Sequence, residues 1–321
     1  QFHIHEKNGD RYILAGYPWF KCRARDMFIA LPGLTLSINE RDYFELVMET
    51  AMRGLQEFMT GQPLSVKIAE IEQPDVMLWA VWCIQQYAKD AGLKACQSRY
   101  GELLHAILSF IESGHHPHLT LKENGLVYTE GHEKPMTWMN SMADGHPIVP
   151  RSGYIVEFNA LWYNALKFSA EMAAFMHNEA EEKRLDNLAM RCQQAFVSCF
   201  VNEYGYLFDY VDEGPQDWSV RPNMIFAIAL DYSPLNQQQK KSVLDVCTRE
   251  LLTPKGLRTL SPKSNGYTPL YTGPQRQRDY AYHQGTAWPW LGGFYMEACL
   301  KLYKRTRLSF IERQMVGYED E

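Results

Sequence analysis

Hydrophobic residues recur along this chain mainly at helical spacing. Between residues 41 and 59 the apolar positions lie three or four residues apart, as in an amphipathic helix. These positions are Phe44, Val47, Met48, Ala51, Leu55 and Phe58. Asp75 stands where it can cap a second helix that runs to about residue 91, and Gly92 ends that helix. The same pattern predicts helices over residues 97–113, 157–178, 180–202, 219–231, 236–252 and 284–305.

Long loops rich in Gly, Pro, Trp and His separate the predicted helices, over residues 114–156, 203–218 and 253–283. Strand patterns are sparse and short, over residues 11–15 and near 125–128 and 206–211. No linker or change of composition divides the chain, so we expect one α-helical domain over residues 1–321. Helix pairs that alternate with aromatic-rich loops favour a barrel of helical hairpins, with the functional site built from the loops.

The composition excludes several classes of protein. With 46% hydrophobic and 22% charged residues, the chain of 321 residues is typical of a folded protein and not of a disordered one. A formal net charge of −6 argues against nucleic-acid binding. No apolar run of about 18 residues predicts a membrane span. The start at Gln1 has no initiator Met and no signal-peptide pattern, so we interpret the chain as a segment of a longer one, in which another domain could precede Gln1.

Cysteines and aromatic residues change this picture in two ways. The 7 cysteines are odd in number and form no Cys-x-x-Cys pair, which favours free, buried thiols in a reducing compartment. The aromatic fraction of 13%, with 8 Trp and 19 Tyr, supplies flat apolar rings with polar tips. Sugars carry a matching mixture of apolar C–H faces and hydroxyls, so this composition permits a carbohydrate site.

A first candidate cluster lies near the N-terminus, where a loop with Trp19 precedes Arg25 and Asp26. A guanidinium fork beside a carboxylate can hold two neighbouring sugar hydroxyls. The alternative is that Asp26 caps a helix and Arg25 lies on the surface.

A second cluster contains Trp138 and Asn140, and then Arg151, Glu157, Asn159 and Trp162. Glu157 and Asn159 are polar residues in an otherwise apolar helix start. They either line a cup that binds hydroxyls or, for Glu157, serve as a first-turn acid favoured by the helix dipole.

The remaining clusters open two further helices. Arg221-Pro222-Asn223 precedes an apolar run, and Pro fits the first turn of a helix. The fourth cluster consists of His283, Gln284, Trp288 and Trp290. Its rings form either a platform for a sugar or a hydrophobic plug at the end of the barrel.

Other chemistries have little support in the sequence. His115, His116 and His118 stand in one turn without acidic or Cys partners at ligand spacing, which indicates a solvated loop more than a metal site. No phosphate-binding glycine loop, Gly-x-Ser-x-Gly elbow or His-Glu-x-x-His motif is present, and Cys22 has no specified His partner. We therefore predict no metal and no cofactor.

Together these motifs resemble the C-terminal glucosidase domain of glycogen debranching enzymes, the amylo-α-1,6-glucosidases. The matching stretches, in the family's order, are AGYPWF and RDMFIALPGLTL (within 15–36), MTWMN (136–140), PRSGYIVEFNALWYNAL (150–166), RPNMIFAIAL (221–230), GLRTLSP (256–262) and RDYAYHQGTAWPWL (278–291). The resemblance implies an all-α fold, an (α/α)6 barrel of the six-hairpin glycosidase type. It implies a cytoplasmic enzyme that removes single α-1,6-linked glucose stubs from debranched glycogen or another branched α-glucan, by inverting hydrolysis.

The resemblance also implies roles for residues. Arg25 and Asp26 correspond to the pair that grips the terminal glucose, and His283, Gln284, Trp288 and Trp290 correspond to further pocket wall. Inverting hydrolysis needs two carboxyl groups about 6.5–9.5 Å apart, one to protonate the leaving oxygen and one to activate water.

Two departures from the family pattern bear on activity. The family's general acid is the Asp of Thr-Trp-Met-Asp, where this chain has Asn140, and a carboxamide does not transfer protons at useful rates. Asp144 is a candidate substitute. The family's general base lies downstream of the Trp-Pro-Trp helix, and this chain ends at Glu321 before that segment. The general base is therefore unknown, and we expect the barrel to lack its last helices.

Three interpretations remain open. The chain is a debranching-type glucosidase domain that is weakened or inactive, a glucan-binding pseudoenzyme, or a related helical-barrel glycosidase that prefers another linkage. Release of glucose from a suitable substrate distinguishes the first from the second.

Overall fold

The computed structural model describes residues 2–319. The predicted domain also includes Gln1, Asp320 and Glu321, which lie outside the described residues. The α-helices in this range are α1 Ala24–Leu34, α2 Arg41–Met59, α3 Val76–Ala91, α4 Leu93–Glu112, α5 Val156–Phe175, α6 Glu179–Phe200, α7 Phe226–Ala229, α8 Gln237–Glu250, α9 Gln275–Tyr282, α10 Trp290–Tyr303 and α11 Leu308–Glu319. Single 3-10 turns span Leu36–Ile38, Pro222–Ile225 and Lys304–Arg307. None of the described helices combines the length and the apolar character that a membrane span requires.

The strands are all two or three residues long. They are β1 His3–His5, β2 Arg11–Ile13, β3 Thr120–Leu121, β4 Val127–Tyr128, β5 Met142–Ala143, β6 His146–Pro147, β7 Tyr154–Ile155, β8 Tyr210–Val211, β9 Leu252–Thr253, β10 Gly256–Arg258 and β11 Ala287–Trp288. The chain forms two compact units. The first comprises the residues up to Leu121 together with Ala165–Asp186, and the second comprises Lys122–Asn164 together with the residues from Asn187 onward.

In the first unit, α3 packs against both α1 and α4. The apolar face predicted for α2 is buried at Phe44, Val47, Met48, Ala51 and Leu55. Asp75 precedes α3 as predicted, and Gly92 ends that helix with φ +88°. The Asp75 side chain does not cap the helix, however, because its carboxylate accepts hydrogen bonds from Arg25 and from the Trp79 indole.

In the second unit, short antiparallel strands place the loops that carry the predicted clusters. β5 pairs with β6, β7 with β8, and β10 with both β9 and β11. The β7–β8 pairing sets Tyr154 opposite Val211, so residues 151–157 lie beside residues 209–211. Gly153 permits this approach: its φ is +94°, and a Cβ there would lie 2.4 Å from the Val211 carbonyl oxygen.

Most predicted helices are confirmed to within one turn. Two predictions were wrong in part. The segment 219–231 forms a 3-10 turn and the short helix α7, and the helix expected from residue 284 begins only at Trp290, after β11 and Pro289. Helix α9 was not predicted, because its polar sequence buries only Ala281 and shows no apolar periodicity. All seven cysteines are free and six of them are buried, as the sequence predicted.

Candidate functional site

A buried arginine joins two buried acids in the second unit. The Arg151 Nη1 and Nη2 atoms donate to the two Glu157 carboxylate oxygens at 2.5 and 2.6 Å, and Nε donates to Asp209 Oδ2 at 2.6 Å. None of the three side chains is more than 2% exposed. Burial raises the pKa of Glu157 above its ordinary value, against the opposing effect of Arg151. The β7–β8 pairing thus assembles a charge array, in which Arg151 and Glu157 were predicted and Asp209 was not.

Asn223 extends this array to an aromatic residue. Its Nδ2 donates to Asp209 Oδ1 at 2.7 Å, and its Oδ1 accepts from Trp138 Nε1 at 2.7 Å. Asn223 is fully buried and stands on the 3-10 turn Pro222–Ile225. Because both ends of the amide are engaged, Asn223 fixes the indole of Trp138 relative to the charge array.

Arg221 connects the array to the last predicted cluster. Its Nη1 donates to the His283 carbonyl at 2.9 Å, and its Nη2 donates to Gln284 Oε1 at 2.8 Å. The Nε is buried with no hydrogen-bond partner among the described residues, and it lies 3.7 Å from Asp217 Oδ2 and 4.0 Å from Asp209 Oδ2. Arg221 therefore holds the loop with Gln284 in place and adds positive charge beside Asp209.

Four aromatic rings pack together next to these charges. The Trp138 ring lies edge-on to His283, Trp288 and Trp290, with centroid distances of 5.3, 5.7 and 5.2 Å. His283 stacks on Trp288 at 5.4 Å. Burial, together with the charges of Arg221 and Arg151, lowers the pKa of His283 to about 3, so its ring is neutral. Trp288 and Trp290 are half-buried residues.

The segment that carries Asn140 is fixed on both sides. Trp138 donates to Asn223 as described above, and Ser141 contacts His283 Nδ1 through its backbone N–H at 3.4 Å and its Oγ at 2.8 Å. Asn140 itself is half-buried. The structure therefore brings together the predicted clusters around residues 136–140, 150–157, 221–223 and 283–290.

Asp144, the predicted substitute acid, has different surroundings. It is exposed in the turn between β5 and β6, with φ +53°, and its carboxylate accepts from Arg276 at 2.7 and 3.1 Å. This ion pair lowers the pKa of Asp144. A general acid needs the opposite, a pKa raised by burial. The geometry therefore does not favour Asp144 as the proton donor.

Asn159 and Trp162 were predicted to bind substrate, but their polar atoms are engaged with backbone. Asn159 Nδ2 donates to the carbonyls of Val127 and Ile155, both at 3.0 Å, and its Oδ1 accepts from the Val127 N–H at 2.8 Å. Trp162 Nε1 donates to the Gly125 carbonyl at 3.1 Å. Both side chains are fully buried. Their contacts hold the 125–127 loop on α5, which is a structural role.

The predicted cluster of the first unit also differs in detail. Arg25 is buried and donates through Nε and Nη2 to Asp75, both at 2.7 Å, and not to Asp26. Asp26 is exposed, yet the surrounding protein desolvates it enough to raise its pKa. Trp19 is 81% exposed. Asp26 and Trp19 are therefore open to a ligand, whereas the guanidinium fork of Arg25 is directed at Asp75.

The described residues give no support to a metal site or to a thiol nucleophile. Among residues 2–319, no group of three or more His, Cys, Asp and Glu side chains could hold a metal ion. His116 is buried against Phe58 and Phe110, and burial lowers its pKa to about 4. Burial raises the pKa of Cys22 to about 12, so its thiol stays protonated.

Comparison with known proteins gives a consistent result. The sequence model of the family described as amylo-alpha-1,6-glucosidase matches residues 1–318. A glycogen debranching enzyme of Saccharomyces cerevisiae is 27% identical over 218 residues, which cover 54% of this chain and only 14% of the yeast protein.

Two solved structures from Thermus thermophilus share the fold. An uncharacterised conserved protein aligns with a TM-score of 0.63 and 12% identity, over 95% of this chain and 86% of that one. A GH63 mannosylglycerate hydrolase, solved with glucose, aligns with a TM-score of 0.55 and 14% identity, over 77% of this chain and 66% of that one. The predicted fold class, all-α and of the (α/α)6 six-hairpin glycosidase type, is confirmed.

Proposed function

The chain belongs to the amylo-alpha-1,6-glucosidase family of glycoside hydrolase domains, and from this premise we propose that it hydrolyses single α-1,6-linked glucose stubs on debranched glycogen or limit dextrin. The proposed reaction is an inverting acid–base hydrolysis that needs no cofactor. We place it in the cytoplasm, because free thiols suit a reducing compartment.

The observation that carries this proposal is the fixed segment around Asn140. Trp138 is held by Asn223 and Ser141 by His283, and the half-buried residues Trp288 and Trp290 pack against Trp138. A sugar ring stacked on such a wall would have its hydroxyls within a polar surround that includes Gln284. Separately, we propose that Asp26, which is exposed in the first unit, accepts hydrogen bonds from sugar hydroxyls.

Asn140 determines how fast such a site would work. At the general-acid position an amide can donate a hydrogen bond to the glycosidic oxygen, but it cannot supply the proton that a departing sugar alkoxide requires. Glu157 and Asp209 are both held by Arg151. We therefore propose that they set the electrostatic field of the site and do not transfer the proton.

The test compares two substrates that differ in their need for an acid. Fluoride leaves without protonation, but its displacement by water still needs the general base. A longer form of the chain that contains the base segment should therefore hydrolyse α-glucosyl fluoride, whereas its release of glucose from a limit dextrin with single α-1,6 stubs should be slow. In that longer form, Asn140→Asp should raise the dextrin rate by about 10²–10⁴-fold, with β-glucose as the first product by NMR. Asn39→Asp, which adds the same charge on an exposed turn, should change neither rate. If that form hydrolyses α-glucosyl fluoride, and its Asn140→Asp variant folds and binds dextrin without a gain in the dextrin rate, residue 140 is not the acid position.

Asn140 also favours a second candidate function, glucan binding without hydrolysis. That function predicts that malto-oligosaccharide binding persists while neither the native chain nor Asn140→Asp releases glucose from either substrate. A preference for another linkage would appear in a comparison of α-1,1-, α-1,4- and α-1,6-linked disaccharides.

A further inference from the structure

We propose that a cavity on the loop before α9 and on α9 itself binds the α-1,4-linked glucan chain that carries the stub. This inference rests on the proposed function and assigns the acceptor side of the same site. The cavity measures about 610 Å³, within the range of about 300–1,000 Å³ that small-molecule sites occupy. The lining residues used below are Thr268, Thr272, Pro274, Arg276, Gln277 and Tyr280.

The lining alternates apolar surfaces with hydrogen-bonding groups. Tyr280, which is 41% exposed, and Pro274 offer flat apolar surfaces. Thr272 and Gln277 offer a hydroxyl and an amide, and the Thr268 hydroxyl, which donates to the Gly266 carbonyl at 3.2 Å, can still accept. This combination matches the C–H faces and the hydroxyls of a sugar chain.

The charge of the cavity selects a neutral ligand. The cavity contains the guanidinium of Arg276, which is paired with the Asp144 carboxylate at 2.7 Å. This pairing offsets the attraction that an unpaired cation would exert on phosphates or carboxylates. The same guanidinium lies over the Tyr280 ring, with Cζ 5.2 Å from the centroid, and so restrains the plane of that ring. A neutral, polyhydroxylated ligand therefore fits better than an anionic one.

Hydrogen bonds and ring contacts connect the rim of the cavity to the candidate site. The Thr268 N–H donates to the Gln284 carbonyl at 2.7 Å, so the rim of the cavity is bonded to the predicted pocket wall. Neighbouring rings make a second link, because Tyr271 lies 5.6 Å from Tyr282, which lies 4.8 Å from Trp288.

The ion pair with Arg276 supplies a third link between the cavity and the site. Asp144 stands on the β5–β6 hairpin, which follows Asn140 directly. These links are the basis on which we assign the cavity to a glucan chain that extends from a bond at residue 140.

Calorimetry with maltotetraose tests the proposal. Tyr280→Ala should weaken binding about tenfold, as expected for loss of one partly buried ring, and Gln277→Ala should weaken it less. Tyr280→Phe keeps the ring and should bind like the native chain. Tyr204→Ala is the matched control, since Tyr204 is a 67% exposed tyrosine of the same unit outside the cavity. Circular dichroism verifies that each variant is folded.

Kinetics separate this inference from the proposed function. If the chain is a glucosidase, Tyr280→Ala should lower the ratio of kcat/KM for limit dextrin to kcat/KM for α-glucosyl fluoride about tenfold, because only the dextrin has an acceptor chain. If no variant hydrolyses anything, the proposed function fails, but selective loss of maltotetraose binding in Tyr280→Ala still supports the cavity. Native affinity in Tyr280→Ala and Gln277→Ala, an equal loss in Tyr204→Ala, or no maltotetraose binding at all would overturn the cavity proposal.

Discussion

Replacing Arg151 by methionine should destabilise the second unit strongly at neutral pH. The substitution leaves Glu157 and Asp209, each at most 2% exposed, without the guanidinium that neutralises both. Removal of one partner from a buried ion pair costs about 3–5 kcal/mol. Because Arg151 serves two carboxylates, we expect the free energy of unfolding to fall by about 5 kcal/mol at pH 7. Domains are stable by only about 5–15 kcal/mol in total, which makes this a large fraction.

The loss should shrink as the pH falls. Burial already raises the folded-state pKa of Glu157, with Arg151 opposing that shift. A carboxyl group with a raised folded-state pKa stabilises the fold below its unfolded-state pKa and loses that contribution as the pH rises through the folded-state pKa. Without Arg151 the folded-state pKa of Glu157 climbs further. The carboxyl group is then neutral in the folded variant at mildly acid pH, and the deficit at pH 5 should be smaller than at pH 7.

Urea unfolding followed by far-ultraviolet circular dichroism at both pH values measures this deficit, from the shift in midpoint at constant slope. The double variant Arg151→Met/Glu157→Gln should recover part of the loss, because it removes one of the two uncompensated charges. Arg151→Lys retains the charge without the fork and should cost less, about 1–3 kcal/mol; it provides the measurement if the methionine variant does not fold. A loss below about 1 kcal/mol at pH 7, or an equal loss at pH 5, would refute the reasoning.

Three further substitutions have defined expected results. Asp26→Asn should weaken dextrin binding in calorimetry about tenfold or more, through loss of a charge-assisted acceptor; unchanged affinity would contradict the gripping role. His283→Phe should flatten the fall in Tm between pH 7 and pH 4. The pKa of His283 is lowered to about 3, so its contribution to stability is present above the unfolded pKa of about 6.5 and is lost as the pH falls toward 3; an unaltered Tm profile would count against a neutral, buried ring. Arg25→Met should cost about 3–5 kcal/mol in urea unfolding, because it strands the buried Asp75, whereas an effect below about 1 kcal/mol would indicate a solvated pair.

The sequence predicted those elements whose formation depends on apolar periodicity. Helix α2 begins and ends where its hydrophobic spacing indicates, because burial of one face stabilises it. Helix α9 carries no such signal: it buries only Ala281, and its hydrogen bonds within the helix and to neighbouring loops hold it instead. The hydrophobic pattern of segment 284–289 predicts a helix. The segment is not helical, because Gly285 has a φ of +146° and β11 pairs with β10.

Partners of candidate site residues were harder to predict than the residues themselves. The sequence predicts that Arg25 and its neighbour Asp26 hold sugar hydroxyls together, whereas the Arg25 guanidinium forms an ion pair with Asp75, fifty positions away. Asp209 has no motif of its own in the sequence, and only the β7–β8 pairing brings it to Arg151. Asn159 was identified from the sequence, but its role was not. A polar residue at the start of an apolar helix indicates a ligand site or a backbone contact equally well, and the contacts of Asn159 are with backbone.

The tryptophan cluster gives this protein an optical reporter of its own. With Trp138 centred 5.7 Å from Trp288 and 5.2 Å from Trp290, we expect the electronic transitions of the three indoles to couple and to shape the near-ultraviolet circular dichroism together. If sugar binds to Trp288 or Trp290 as proposed, it should alter this signal without any added dye. The packing of the three rings can be followed in the same spectrum, at the wavelengths where the tryptophans absorb.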